Sequence, residues 1–226
     1  MNVTTFLDVL ASWPSLLSGL AVTALLTLVS SLLGVALGTL CAWGSLRAPM
    51  GARWAIRVYV EFVRNTPFLG QVFFIFFGLP ALGVKMNSLT AAVVSLTLNL
   101  GAYACEIIRA GIQATPPGQF DASSALGLKP AQAFFLVILP PAFQRVWPAM
   151  TSQLVIILLA SALCSQISVA ELSYAANVIA SASFRNFESY IVATVLYLAL
   201  ATLFRELLKW VGGRFIFGQF AVVGAR

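Results

Sequence analysis

Five long stretches without a charged residue are the feature that most restricts how this chain can fold. A helix needs roughly 20 apolar residues to cross the hydrocarbon core of a bilayer. The stretches are continuously apolar, whereas the strands of a transmembrane β-barrel alternate between apolar and polar residues. We therefore predict an all-α integral membrane protein. The stretches are Val9–Leu46, Asn65–Val84, Met86–Cys105, Val146–Ala170 and Ser189–Phe204.

The composition agrees with this fold class. Only 9% of the 226 residues are charged and 60% are hydrophobic, whereas about 25% of residues in a soluble domain carry a charge. We predict one domain, residues 1–226, with five transmembrane helices. Their predicted bounds are about 16–43, 55–79, 87–109, 147–170 and 187–210.

The basic residues predict the orientation of the chain. They are concentrated in the first and third connections between helices and in the C-terminal tail, and basic connections stay on the cytoplasmic side. The N-terminus is therefore predicted to lie outside and the C-terminus inside. Orientation accounts for the net charge of +6, so a nucleic acid partner is not predicted. The residues are Arg47, Arg53, Arg57, Arg109, Lys129, Arg145, Arg205, Lys209, Arg214 and Arg226.

Cysteine and histidine usage limits the chemistry of the chain. The three cysteines, Cys41, Cys105 and Cys164, lie in or beside apolar stretches, and we interpret them as small buried hydrophobic residues. The sequence contains no histidine, which excludes a histidine-based metal site or proton relay.

The connection between the third and fourth predicted helices, about residues 110–146, is unusually long and polar. Thr115-Pro116-Pro117-Gly118 predicts a turn, and residues 119–126 predict a short helix of small residues, with Asp121 near its N-terminus. Gly127 suits the position just after the helix. Such a segment predicts that a soluble partner docks there.

A second short helix is predicted after Lys129, because Pro130 suits a first helical position. Its apolar run is too short to span a bilayer. We predict that Pro140-Pro141 ends it and that it lies at the cytoplasmic interface.

Polar residues inside the second and third predicted helices are candidates for a transport path. Arg64 either faces the path or pairs with Glu61 three residues earlier. Thr66-Pro67 either opens the helix toward the path or makes a harmless kink. Asn99 and Tyr103 share one helix face and contact either a substrate or a neighbouring helix.

Four spaced motifs point to a known family. Asp121-Ala122-Ser123 is followed by Gly127, and Arg64-Asn65-Thr66-Pro67 begins the second apolar stretch. The others lie at residues 102–112 and 139–143. With these motifs the chain resembles the permease subunits of bacterial ATP-binding-cassette (ABC) importers, most closely the branch for polar amino acids such as histidine, glutamate, glutamine and arginine. The resemblance covers about residues 15 to 212.

The resemblance implies a type I importer (MetI-like) permease fold in the bacterial inner membrane. The implied substrate is a polar amino acid or a close relative such as an opine. The implied partners are an ABC ATPase dimer, a second permease subunit, identical or homologous, and an extracytoplasmic amino-acid-binding protein. The implied ATPase contact consists of Asp121, Ala122, Ser123, Ala125, Leu126 and Gly127.

The energy source is expected to lie in another chain. The sequence has no Gly-x-x-x-x-Gly-Lys-Ser/Thr phosphate loop, which a P-loop ATPase uses to hold its nucleotide. We therefore expect a non-catalytic permease without a cofactor of its own, with ATP and magnesium bound by the partner ATPase.

The fourth helix departs from the family pattern. Many relatives carry a Lys-Asp-Thr-Ser-Leu element there, and alignment on Glu171-Leu172 places residues 159–163 at it. The charged pair is absent, with Ala160 at the acidic position. Ser161 falls at the path position of the family and completes the candidate path residues.

Two other functions stay open at this point. A self-sufficient secondary transporter or channel would carry acidic relay residues, broken half-helices or an internal repeat. A non-transporting scaffold subunit would not need polar residues in its spans.

Overall fold

The regular elements of the described chain are all helical. The computed structural model describes Val9 and residues 11–217, so both ends of the predicted domain, with Arg226, lie outside the described residues. We label the helices in chain order. They are α1 (Trp13–Arg47), α2 (Met50–Arg64), α3 (Phe68–Ala81), α4 (Ser88–Gln113), α5 (Pro117–Ala125), α6 (Pro130–Ile167), α7 (Leu172–Ser183) and α8 (Asn186–Phe217).

Four of these helices, α1, α4, α6 and α8, are long and apolar enough to cross a membrane. A bent pair, α2 with α3, becomes a fifth candidate if it is counted as one span. The predicted helices at 87–109 and 187–210 agree with α4 and with the α-helical part of α8, Asn186–Val211. The predicted helix at 16–43 extends further at both ends.

The single helix predicted at 55–79 is wrong. The chain breaks between Arg64 and Phe68, and α2 and α3 meet at a bend of 113°. Pro67 has no N–H with which to continue the helical ladder, and it disfavours helical backbone at the preceding residue. Apolar content predicted the length of this segment, but it carries no information on its direction.

The stop predicted at Pro140-Pro141 is also wrong. The segment from Pro130 is continuous with the fourth span and forms the single helix α6. A π-helical stretch, Ala133–Ile138, comes directly before the prolines, and such local adjustments let helices continue past proline. The far end of α6 tightens into a 3₁₀ segment, Ser161–Ile167.

Helix α4 lies at the centre of the fold. It packs along α1, where two glycines allow close approach. A Cβ atom on Gly34 would lie 2.7 Å from the Cβ of Leu100, and one on Gly38 would lie 2.9 Å from the backbone nitrogen of Cys105. In contrast, only 6% of the apolar window of α8 is buried within the chain. Helix α8 therefore presents most of its apolar surface outward.

All three cysteines are free thiols; Cys105 and Cys164 are buried, as predicted, whereas Cys41 is only partly buried.

Candidate coupling helix and polar residues of the spans

The short helix predicted in the long connection is present as α5. Pro117 occupies its first turn. At the other end the N–H of Gly127 donates to the carbonyl of Ser124 (3.0 Å), and the N–H of Leu128 donates to the carbonyl of Ser123 (3.2 Å). This pair of bonds is a Schellman motif, which needs a left-handed residue after the helix. Gly127 supplies it with φ of +65°, as the sequence predicted.

The surface of α5 is open. Five of the six predicted contact residues are exposed: Asp121, Ala122, Ala125, Leu126 and Gly127. Leu126 is the most prominent, with 76% of its surface accessible. Ser123 differs, because it is only 3% exposed and its hydroxyl donates to the carbonyl of Phe120 (2.8 Å). Its side chain therefore faces the protein interior and bonds to the backbone of its own helix.

The placement of Asp121 near the helix N-terminus is wrong. The helix begins at Pro117, so Asp121 is its fifth residue and lies beyond the first turn. The favourable effect of a carboxylate on the helix dipole fades within that turn. Asp121 is instead an exposed charge on the outer face.

The base of the long connection is braced against α6. The guanidinium of Arg145 donates to the hydroxyl of Thr115 (3.2 Å), which in turn donates to the carbonyl of Gly111 (3.2 Å). A Cβ atom on Gly111 would lie 2.8 Å from the carbonyl oxygen of Ala142. The end of α4 and the start of α6 are thus in direct contact at the base of this connection.

Arg64 contacts α4, and not Glu61, which was one of the two alternatives for this residue. Its guanidinium lies 3.3 Å from the Glu106 carboxylate, and its Cζ atom lies 5.5 Å from the ring centroid of Tyr103. Arg109 also pairs with Glu106 through two hydrogen bonds (2.8 and 2.9 Å). Arg64 and Glu106 line a cleft of about 660 Å³ between α2 and α4.

Thr66 and Asn99 are connected through a third side chain, Gln71. The Nε2 atom of Gln71 donates to the Thr66 hydroxyl (2.9 Å), and its Oε1 atom accepts from Nδ2 of Asn99 (3.1 Å). Asn99 is only 8% exposed. The predicted path residues of the second and third stretches are thus joined in two separate contacts, Arg64 with Tyr103 and Thr66 with Asn99 through Gln71.

A family model confirms the resemblance. The model described as binding-protein-dependent transport system inner membrane component matches residues 34–216. The chain belongs to this family. It is a multi-pass inner membrane permease subunit of an ABC importer, and this assignment is favoured over the secondary transporter or channel.

Curated relatives of the permease are themselves transport permeases. It is 39% identical over 160 residues to the L-cystine transport system permease protein TcyB of Bacillus subtilis (strain 168), covering 71% of this chain and 68% of the relative. It is 35% identical over 191 residues to the arginine transport system permease protein ArtQ of the same organism, covering 83% and 86%.

Solved structures share the fold of the permease. A crystal structure of an amino acid ABC transporter with histidines superposes with a TM-score of 0.83 at 35% identity, covering 95% of this chain and 100% of that chain. An inward-facing MetNI methionine ABC transporter superposes at 0.66 with 21% identity, covering 89% and 94%. The predicted importer fold is thereby confirmed as an all-helical, MetI-like fold with four or five candidate spans.

Ser161 stands apart from the other path candidates of the permease. It is fully buried at the start of the 3₁₀ segment, and its hydroxyl donates to the carbonyl of Leu158 (2.6 Å). That segment packs against α3 and α4. The structure thus joins Arg64 with Tyr103, and Thr66 with Asn99, while the hydroxyl of Ser161 is used within its own helix.

Two polar residues that connect helices were not singled out from the sequence. Gln71 is a polar residue in an apolar stretch four residues after a proline, which was a usable signal. Glu171 served only to anchor an alignment, yet it is fully buried. It caps α7 by accepting from the N–H of Tyr174 (2.8 Å), and it accepts from the hydroxyls of Tyr197 and Thr23.

The Arg64–Tyr103 contact can be separated from a direct role of the Tyr103 hydroxyl. Tyr103→Phe keeps the ring face, and we expect its uptake to match that of the native permease. Tyr103→Leu removes an attraction worth about 0.5–1 kcal/mol at a half-exposed site, so we expect about two- to fivefold slower uptake. Substrate uptake in membrane vesicles is the measurement. Equal losses in both variants would show that the hydroxyl itself is needed.

Proposed function

We propose that this permease carries a polar amino acid, or a close relative such as an opine, through the inner membrane into the cytoplasm. The observation that carries the proposal is the kinship with permeases of cystine and arginine transport systems at 39% and 35% identity. Two polar contacts, Arg64 with Tyr103 and Thr66 with Asn99 through Gln71, support it, because intramembrane polar groups mark substrate pathways.

The proposed orientation has the N-terminus outside and the C-terminus inside. The basic residues of α2, of the connection around α5 and of the end of α8 then lie on the cytoplasmic side, in accord with the positive-inside rule. This orientation also presents α5 to soluble cytoplasmic partners.

The proposed coupling element is the exposed face of α5, with Leu126 as its apolar knob. Family membership implies ATPase and binding-protein partners. A short rigid helix with small exposed side chains fits into a groove of an ATPase and moves with it. The brace of Arg145, Thr115 and Gly111 would then transmit this movement to α4 and α6.

The proposed path lies between two permease subunits, identical or homologous. A bundle of four or five spans leaves little room for a substrate route of its own, and α8 has an outward apolar surface available for lipid or for a partner. Arg64, Thr66, Asn99, Tyr103 and Ser161 are the residues that we assign to the path or to its walls.

Uptake of a panel of radiolabelled amino acids tests the proposal. The permease is reconstituted in vesicles with its ATPase and binding protein, with and without ATP. We expect uptake of one group of polar amino acids that requires both ATP and the binding protein. Uptake driven by an ion gradient without the ATPase would contradict the mechanism. ATP-dependent uptake restricted to non-amino-acid cargo would contradict only the substrate class.

A further inference from the structure

The break between α2 and α3 exposes backbone carbonyls that a continuous helix would have satisfied. In a continuous helix the Val63 carbonyl would accept from the N–H of residue 67, but proline has none. Val63 is only 7% exposed, and an unpartnered backbone group in such surroundings is costly. The bent conformation therefore depends on a donor from elsewhere.

Gln71 supplies that donor. Its Nε2 atom lies 2.7 Å from the Val63 carbonyl oxygen and 3.1 Å from that of Thr66. Both carbonyls lie in or near the break, whereas Gln71 itself belongs to α3 beyond it. The side chain thus bridges the two arms of the bend.

The same amide connects the bend to the third span. The Oε1 atom of Gln71 accepts from Nδ2 of Asn99 on α4. The amide nitrogen of Gln71 bonds to the bend, and its amide oxygen bonds to α4. A displacement of α4 relative to the bend must therefore stretch or break the hydrogen bond between Asn99 and Gln71.

We propose that Gln71 is a positioning residue that fixes the bend of the second span and links its angle to the position of α4 through Asn99. The effect on transport rests on the proposed path, which α2 and α3 would line. The effect on the bend does not depend on that path.

Distance measurements between spin labels test the link. The labels are placed at Met50 and Leu82, which are 81% and 74% exposed at the outer ends of the two arms. The three native cysteines are replaced by alanine, and labelled chains are diluted with unlabelled ones in the complete transporter. A helix of 15 residues is about 22 Å long, so a change of about 20° in the bend moves its tip by about 8 Å.

We expect Gln71→Ala to shift or broaden this distance distribution by several ångströms, with uptake lowered by about tenfold or more. Gln71→Glu keeps an acceptor for Asn99 but loses the amide donor, so it should shift the distribution as well. Asn99→Ala keeps the donor to Val63 and should produce a smaller shift. Asn87→Ala is the matched control for Asn99→Ala, because Asn87 caps the start of α4 (Asn87 Oδ1 accepts from Thr90 N, 2.8 Å) and makes no hydrogen bond to Gln71.

An unchanged distance distribution in Gln71→Ala overturns the proposal. A shifted distribution together with normal uptake supports the role of Gln71 in the bend and contradicts the proposed path along the second span. The two failures are therefore distinguishable.

Discussion

Gly127→Asp is expected to abolish most substrate uptake while the partner ATPases continue to hydrolyse ATP. A Cβ atom on Gly127 would meet nothing within 4 Å, so the added carboxylate extends into the space where we propose that the ATPase binds. Desolvating an unpaired charge in a protein contact costs several kcal/mol. Because each 1.4 kcal/mol is a factor of ten, we expect uptake to fall by about tenfold or more.

Two further substitutions separate charge from backbone strain. Gly127→Asn is nearly isosteric with the aspartate variant but neutral, and asparagine tolerates the left-handed conformation better than most residues. Gly127→Val is neutral but β-branched, and a positive φ of +65° costs a non-glycine residue about 1–2 kcal/mol. We expect near-native uptake for asparagine and an intermediate loss for valine.

The measurements are uptake and ATP hydrolysis in the same proteoliposomes. Co-purification of the ATPase distinguishes loss of the contact from loss of transmission through it. Native uptake in the aspartate variant would show that this end of α5 is not in the ATPase contact. An equal loss in the aspartate and asparagine variants would show that the size of the side chain, and not its charge, is responsible.

The sequence predicted the short helix α5 to within two residues because its structure is local. Two prolines, a glycine and a run of small residues determine where α5 begins and ends, whatever the rest of the chain does. The bounds of α4 and of the α-helical part of α8 were predictable for a similar reason, since apolar length alone determines them. The resemblance implied that Ser123 belongs to the ATPase contact, but a motif does not show which side of a short helix the fold covers, and Ser123 is buried.

The errors within the membrane spans concern proline and long-range polar contacts. Pro67 breaks the second span, whereas Pro140 and Pro141 lie within the continuous helix α6. The difference lies in the surroundings of the prolines. A π-helical stretch precedes Pro140-Pro141 and lets the helix continue. At Pro67 a side-chain donor, Gln71, supports the break. Gln71 and Glu171 owe their roles to partners 28 and 26 residues away in the chain, Asn99 and Tyr197. The spacing of residues within one helix does not predict contacts with residues of another helix.

Glu171 provides the largest expected change in stability. It is fully buried where α1, α7 and α8 meet, and it accepts hydrogen bonds from Thr23, Tyr174 and Tyr197. Gly19 lets α1 approach the backbone of Glu171 closely, since a Cβ atom on Gly19 would lie 2.9 Å from the carbonyl oxygen of Glu171. The carboxylate thus connects three helices at one position.

Removing the carboxylate takes the acceptor from the N–H of Tyr174 and from the hydroxyl of Tyr197, whereas the Thr23 hydroxyl still donates to the carbonyl of Gly19 (3.0 Å). Each buried unsatisfied group costs about 1–3 kcal/mol, and the Tyr197 hydroxyl can turn to Ser173, which lies 3.0 Å away. For Glu171→Ala we therefore expect a net loss of about 3 kcal/mol. At about 2–4 °C per kcal/mol for a chain of this size, the melting temperature should fall by about 6–12 °C. A thiol-reactive dye can follow unfolding, because Cys105 and Cys164 are buried in the native fold.

Glu171→Gln is the matched control, because it keeps the shape and one acceptor oxygen but removes the charge. Burial raises the pKa of Glu171 above its ordinary value of 4.5, opposed by hydrogen bonds from Tyr197, Ser173, Tyr174 and Thr23. The folded chain therefore binds this proton more tightly than the unfolded chain. Proton binding therefore adds to the free energy of unfolding below pH 4.5, the ordinary pKa of the group. This contribution is lost as the pH rises through the raised pKa of the folded chain. We expect the glutamine variant to lack this part of the pH dependence and to melt close to the native permease. A native melting temperature in Glu171→Ala would show that the three helices are held together by apolar packing alone.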